Sequence, residues 1–506
     1  MTRHLITLMV FLPFLGAILQ AVLPKTQLAF GKFSASRWAA LLSSLASSLC
    51  GLFLVISMQN LNGEISFHEN ISWIGSYAIS YDMGLDGLNA LVVLLISIIF
   101  PLLIASEWMQ KTGIRGLFGL FLLLQFCFLG TVCAQDLFLV FFFWALSSLP
   151  FYFLIGIWGG ELKEQAAFRT IVASTIGNTF LFAALILVYY AVDPHTFSLH
   201  ELVGSKLNEK TFEFLGNNFN VSGVAFSLMA IGLALRAPVW PFHGWFTLAV
   251  QEAPSSVFVA LSAVGVPVAT YIFMRLAYSL FPVTLIQNAT TIVMVGTVSL
   301  VMGGVCALAQ KGLRLLAAFI CLSEVGLVLI GIGSTNPIGI VGSSYQQLVL
   351  GLGLAGLGLL TGILFERSGT VIFQADDGTA SQGGVVNFAP RMAVVAGVVI
   401  ASLLGFPGLG GFVGHALLLI GSYSIHPVVV VIAAMIFIFT SYFLFSMYRF
   451  VFLGKPRGES VFADLTFREG AFLYPLIASL VVFGLYPKPW IDLVRPTVVN
   501  LLTTLK

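Results

Sequence analysis

The sequence predicts an all-α polytopic membrane protein of about fourteen transmembrane helices, and three observations predict it. The 506 residues are 58% hydrophobic and only 9% charged, with a mean hydropathy of +1.01, whereas soluble domains are roughly 25% charged. Apolar runs of about 20 residues, each long enough to cross a hydrocarbon core of roughly 30 Å as a helix, recur along almost the whole length. The runs lack the two-residue alternation of barrel strands, so a membrane barrel is excluded.

Polar punctuation places the spans near 4–24, 36–58, 84–108, 114–133, 136–157, 168–191, 222–243, 254–281, 287–309, 313–334, 345–366, 392–424, 427–453 and 470–489. The first run, MTRHLITLMVFLPFLGAILQAVLP, has the charge and apolarity of a signal peptide but no small-residue cleavage site, and reads as a retained span. Basic residues alternate between the two ends of the bundle. Lys25, Lys32, Arg37, Lys111, Arg115, Lys163, Arg169, Lys311, Arg314, Arg367, Arg391, Arg449, Lys455, Arg457 and Arg468 fall on one side. The other side has only Arg3, Lys206, Lys210, Lys488, Arg495 and Lys506. Cytoplasmic loops retain positive charge, so both termini are expected outside.

Two spans are interrupted. Span 7 contains LRAPVWPFHGW, in which Pro238 and Pro241 remove backbone donors just after Arg236, and span 12 contains LLGFPGLGGFVGH, with Pro407 set among glycines. Such breaks are tolerated at membrane depth only where the freed carbonyls find protein or water, and they commonly mark ion pathways. They lie five spans apart, which predicts two inverted five-helix repeats, spans 4–8 and 9–13. The chain then divides into spans 1–3 (1–110), a first repeat (111–283), a second repeat (284–456) and a C-terminal helix (457–506).

An ionisable group at the bilayer centre costs on the order of 3 kcal/mol, so those that remain are functional candidates by default. Arg236, Glu324 and His415 lie near mid-span and are the candidate ion-translocation residues; an internal ion pair that only orders the bundle is the alternative. Asp82, Asp86, Glu107, Asp136, His243, Glu252 and Arg275 lie nearer span ends, where snorkelling or loop capping accounts for them equally well. Among these, His243, Glu252 and Glu107, with Lys311, are candidates for access or loop roles.

The remaining features exclude other chemistries. A formal charge of +2 is too small to point to nucleic acid. The five cysteines, Cys50, Cys127, Cys133, Cys306 and Cys321, show no CxxC spacing and read as packing residues, and the seven histidines show no zinc or haem spacing. GLGLAG, from Gly351 to Gly356, matches a dinucleotide fingerprint in letters but lies inside a membrane run with no preceding strand, where small residues let helices approach. No catalytic triad or exposed carboxylate pair is present, so the chain is expected to hold no soluble active site.

Several runs carry a specific resemblance. RAPVWPFHGWFTLAVQEAPSSVFVALSAVGVP is similar to the signature of the antiporter-like subunits of complex I and of multisubunit cation/proton antiporters. FFFWALSSLPFYFLIGIWGG, QKGLRLLAAFICLSEVGLVLIGI, GFPGLGGFVGHALLLIGSY and GLYPKPWIDLVRP resemble spans 5, 10 and 12 and the C-terminal helix of that family's M type. The resemblance covers nearly the whole chain. It implies a membrane-arm subunit of a bacterial inner-membrane quinone reductase, coupling quinone reduction to H+ or Na+ movement. Its partners would be neighbouring antiporter-like subunits and lipid. The chain would bind no cofactor itself, with NADH, FMN, iron–sulfur clusters and quinone in partner subunits. A cation/proton antiporter subunit, an inorganic-carbon uptake subunit, or a non-conducting structural subunit are the alternatives.

The chain departs from the family at its charged positions. Ala145 aligns with the family's glutamate on span 5, Arg236 with the lysine on span 7 and Pro267 with the lysine on span 8. Glu324 stands where the family has histidine, Leu350 aligns with the span 11 histidine, and His415 stands where the family has glutamate. A guanidinium keeps its proton in any protein setting, so Arg236 is not expected to relay protons as a lysine does. The acid and the imidazole of the second repeat are exchanged, and as a coupled pair they retain the capacity to titrate near neutral pH.

Overall fold

The computed structural model describes residues 4–23, 29–30, 33–58, 63–110, 113–214, 216–368, 384–454 and 463–503. Arg3, Lys25, Lys32, Lys111, Lys455, Arg457 and Lys506, used above for orientation, lie outside the described residues. Among the described residues twelve helices are long and apolar enough to cross a membrane: Leu5–Val22, Ala35–Ser57, Gly87–Met109, Ile114–Cys133, Leu137–Trp158, Lys163–Ala191, Ser255–Leu280, Ala289–Leu308, Leu313–Gly333, Pro337–Ser368, Pro427–Leu453 and Phe467–Leu485. The two interrupted spans supply shorter helices, Val221–Arg236 with Gly244–Glu252 as span 7, and Pro390–Leu403 with Gly410–Tyr423 as span 12. Counted in chain order, the described residues thus form spans 1 to 14, followed by a separate C-terminal helix, Lys488–Thr503.

Several boundaries differ from the sequence reading for identifiable reasons. Span 11 starts at Pro337 rather than near 345, because Pro at a first helical position is favourable and GSSYQQ continues the helix despite its polarity. Span 6 starts at Lys163, where a polar first turn precedes the membrane run. The sequence reading ended span 7 at 243; the chain resumes helix at Gly244, after the two prolines. The connections read as polar loops contain hairpins, Ser66–Ile74 with Ile79–Leu85 and Thr211–Phe214 with Asn217–Asn220, both antiparallel.

The larger hairpin is tied to the helices by charge. Glu69 is buried and accepts from the Ile6 N–H at 2.9 Å, so a side chain far along the chain satisfies an orphan donor at the start of span 1. On the second strand Asp82, which pairs with Asn70, bonds His68 at 2.6 Å and Asn70 at 3.0 Å.

The centre of the bundle is formed by the spans that protein surrounds on all sides. The apolar window of span 8 is 100% buried and that of span 11 is 94% buried, whereas that of span 13 is 17% buried and faces outward. Without a hydrophobic force between helices in lipid, close packing is what holds such spans together. Spans 6 and 7 cross where Gly177 meets Gly232, and spans 11 and 12 cross where Gly339 meets Gly421, leaving no room for a Cβ at either crossing. Span 8 also widens into a π-helical turn, Ala260–Gly265, immediately before Pro267. Proline has no N–H to continue the ladder, and the wider turn accommodates its loss.

Candidate functional site

Two polar centres lie inside the bundle, one beside each broken span. The first half of span 7 is capped by Asn220, which accepts from the Gly223 N–H at 3.0 Å, and it ends at Arg236 because Pro238 and Pro241 offer no donors. The break is satisfied locally. Trp245 Nε1 donates to the Leu235 carbonyl at 2.8 Å, and the Trp240 N–H donates to Ser299 Oγ on span 9 at 3.1 Å.

Arg236, at the last turn before the break, is 7% exposed. Its guanidinium donates to the Trp144 carbonyl at 2.7 Å, Ser147 Oγ at 3.0 Å and Asn178 Oδ1 at 3.2 Å, and it sits 3.8 Å from the centre of the Trp144 ring. These acceptors come from span 5, which divides at Ser147 ahead of Pro150, and from span 6. All are neutral, and no ion pair among the described residues includes Arg236. A charge held by dipoles and an aromatic face is stabilised where it stands. A guanidinium in such a cage can supply a fixed positive potential.

The second centre joins Glu324 to His415. Glu324 lies in the middle of span 10 and His415 in the second half of span 12, 9% and 5% exposed. The break before His415 turns through Gly405 and Gly408, both with positive φ, a conformation that costs glycine nothing. His415 Nε2 lies 2.9 Å from Glu324 Oε1 and 3.2 Å from Oε2. Its Nδ1 lies 2.7 Å from the Gly411 carbonyl, which only accepts, so Nδ1 carries a proton. One further proton is therefore shared between Nε2 and the carboxyl. On nitrogen it gives imidazolium and carboxylate; on oxygen it gives a neutral pair; the net charge is zero in both. Moving that proton across a 2.9 Å gap changes no net charge in a low-dielectric interior, which is what a buried relay requires.

Gln346 completes this centre. It is 2% exposed, and its Nε2 donates to Glu324 Oε2 at 2.8 Å and stands 3.4 Å from His415 Nε2. The sequence alone does not single it out, because a span that begins near 345 places the Gln346–Gln347 pair at a membrane surface. From Pro337 the residue is nine positions into the helix, about 14 Å at 1.5 Å per residue and close to mid-membrane.

The remaining candidates occupy the span ends. His243 precedes the second half of span 7 and its ring lies 6.1 Å from that of Phe319 on span 10. Glu252 ends that half-helix, and its carboxylate accepts from the Leu162 N–H at 3.0 Å, fastening the loop after span 5. Glu107 is half-buried in the closing turn of span 3, and Lys311 is exposed in the turn between spans 9 and 10. Arg275 does not snorkel, as its place near a span end suggests, but is buried on span 8. Its guanidinium pairs with Asp86, the N-cap of span 3, and donates to Gln135 Oε1 at 2.8 Å. Among the described residues no group of three or more His, Cys, Asp or Glu is placed to hold a metal.

Comparison with known proteins agrees with this architecture. A family model described as NADH:quinone oxidoreductase/Mrp antiporter, transmembrane, matches residues 134–448. The chain is 29% identical over 504 residues to NADH-quinone oxidoreductase subunit M of Rhodobacter capsulatus, covering 99% of this chain and 96% of the relative. Among solved structures, a chain of respiratory complex I from Thermus thermophilus with bound NADH superposes with a TM-score of 0.87 at 25% identity, covering 99% of this chain and 100% of that one. A chain of the Mrp complex from Dietzia sp. DQ12-45-1b shares the fold at a TM-score of 0.83 and 19% identity, with 99% and 97% covered.

Proposed function

The chain belongs to the NADH:quinone oxidoreductase/Mrp antiporter transmembrane family, and from that premise we propose that it is an antiporter-like membrane-arm subunit of a complex I type assembly. In this reading it couples quinone reduction, carried out elsewhere, to ion movement through its second repeat. The observation that carries the ion-moving role is the Glu324–His415 pair, a titratable couple at mid-membrane beside a broken helix. Arg236 acts as a fixed charge. NADH, FMN, iron–sulfur clusters and quinone belong to partner subunits, and neighbouring antiporter-like subunits and lipid cover the outward faces. The membrane is the inner membrane of a bacterium, with both termini outside.

A non-conducting structural role is the second reading, favoured by one observation: the cage of Arg236 contains no carboxylate, so the first repeat has no titratable partner at its centre. Isolation of the tagged chain from its native membrane tests the assignment. NADH:quinone reductase activity is expected to purify with it, along with iron–sulfur and other antiporter-like subunits. A monodisperse single chain that exchanges cations by itself in proteoliposomes would overturn the subunit reading.

A further inference from the structure

We propose that Gln346 is a positioning residue whose amide determines which member of the Glu324–His415 pair holds the shared proton. The proposal rests on the reading of that pair as the ion-moving centre. In the orientation present, the amide N–H donates to Glu324 Oε2 at 2.8 Å, which favours carboxylate and hence imidazolium. The amide oxygen, Oε1, is buried without a hydrogen-bond partner. Half a turn of the amide exchanges the two atoms and sets Oε1 against Glu324. An amide oxygen accepts and does not donate, so that orientation is compatible only with a protonated carboxyl. The proton then moves from His415 Nε2 to Glu324; the imidazolium becomes imidazole, the carboxylate becomes carboxylic acid, and Gln346 stays neutral. The rotation carries Nε2 into the buried place that Oε1 leaves, where no acceptor stands, so the flipped orientation is the minor one.

The neighbouring residues fit this role. A Cβ on Gly414 would collide with Gln346 Oε1, so only hydrogen at that position leaves the amide its room. The Phe437 ring, 4.5 Å from the imidazole, closes the span 13 side. Other titratable groups on the packed elements are engaged or set apart. Tyr278 on span 8 donates to the Ile332 carbonyl, Tyr345 on span 11 to the Phe483 carbonyl, and Arg275 is paired with Asp86. Glu252 holds the Leu162 N–H, His243 packs near Phe319, and Cys321 lies one turn before Glu324 on its own helix.

The test is infrared spectroscopy of the intact complex at pH 7, reading the protonated-carboxyl band that Glu324→Gln abolishes. Gln346→Met keeps length and removes the donor, and the ratio of protonated to ionised Glu324 is expected to rise on the order of tenfold, the worth of one charge-assisted bond. Gly414→Ala, which displaces the amide by a single methyl group, is expected to move the band the same way and serves if the first variant does not assemble. An unchanged band in the variant that assembles overturns the proposal. The band reports proton position in the resting complex, so its failure is distinct from failure of the pair to pump.

Discussion

Arg236 and Arg275 are both buried guanidiniums, and their surroundings dictate opposite responses to substitution. Arg275 neutralises Asp86, so Arg275→Ala leaves a buried carboxylate unpaired and is expected to cost about 3–5 kcal/mol. The double variant Asp86→Asn with Arg275→Met removes both charges and is expected to recover part of that loss; thermal unfolding of the assembled complex checks both. Arg236 has only neutral partners, so Arg236→Lys keeps the charge and loses forked hydrogen bonds, and pumping per electron is expected to stay unchanged or to rise. At this scale the sequence was informative where a charge sat alone in an apolar run, as Arg236, Glu324 and His415 do. It was not informative about partners. Trp144, Ser147 and Asn178 are ordinary residues until the fold brings them to Arg236, and Arg275 reads as a span-end cation until Asp86 is placed beside it.

At the scale of elements, span 5 shows how a loop residue conditions a helix. Asp136 precedes the span and caps it, accepting from the Phe138 and Leu139 N–H groups at 2.8 and 3.2 Å and from Ser80 across the hairpin at 3.1 Å. Burial outweighs these bonds and pushes its carboxyl up to about 6. A carboxyl raised in the folded state contributes stability below its ordinary value near 3.8, and that contribution is lost as pH rises through about 6. Asp136→Asn keeps an acceptor without the charge, so its stability relative to wild type is expected to be greater at pH 8 than at pH 4 in thermal unfolding at the two values. Apolar run length located the membrane helices well, because length and hydropathy are what the bilayer selects. The larger hairpin is hidden since ENISWIGSYAISYD is neither long nor strictly alternating, and it is anchored where Glu69 reaches the distant start of span 1 while Asp82 bonds His68 and Asn70 across the two strands. The second half of span 7 was hidden because a sequence showing two prolines announces a stop and not a restart.

For the whole molecule, the proposed orientation follows from two features together: an even count of spans returns the chain to the side it started from, and the basic loops gather on the opposite, cytoplasmic side. Cysteine labelling from each face is expected to reach a residue placed beside Lys506 only from the non-cytoplasmic side; labelling only from the cytoplasm contradicts the orientation. In the proposed function the two halves of the bundle differ, with a fixed charge at Arg236 in the first and a shared proton between Glu324 and His415 in the second. Protons pumped per electron by the assembled complex in proteoliposomes test it most directly, with complex content held equal on native gels. Glu324→Gln and His415→Ala are each expected to lower the ratio. If both variants assemble normally and pump at the wild-type ratio, the pair carries no ions and the chain is a structural member of the arm.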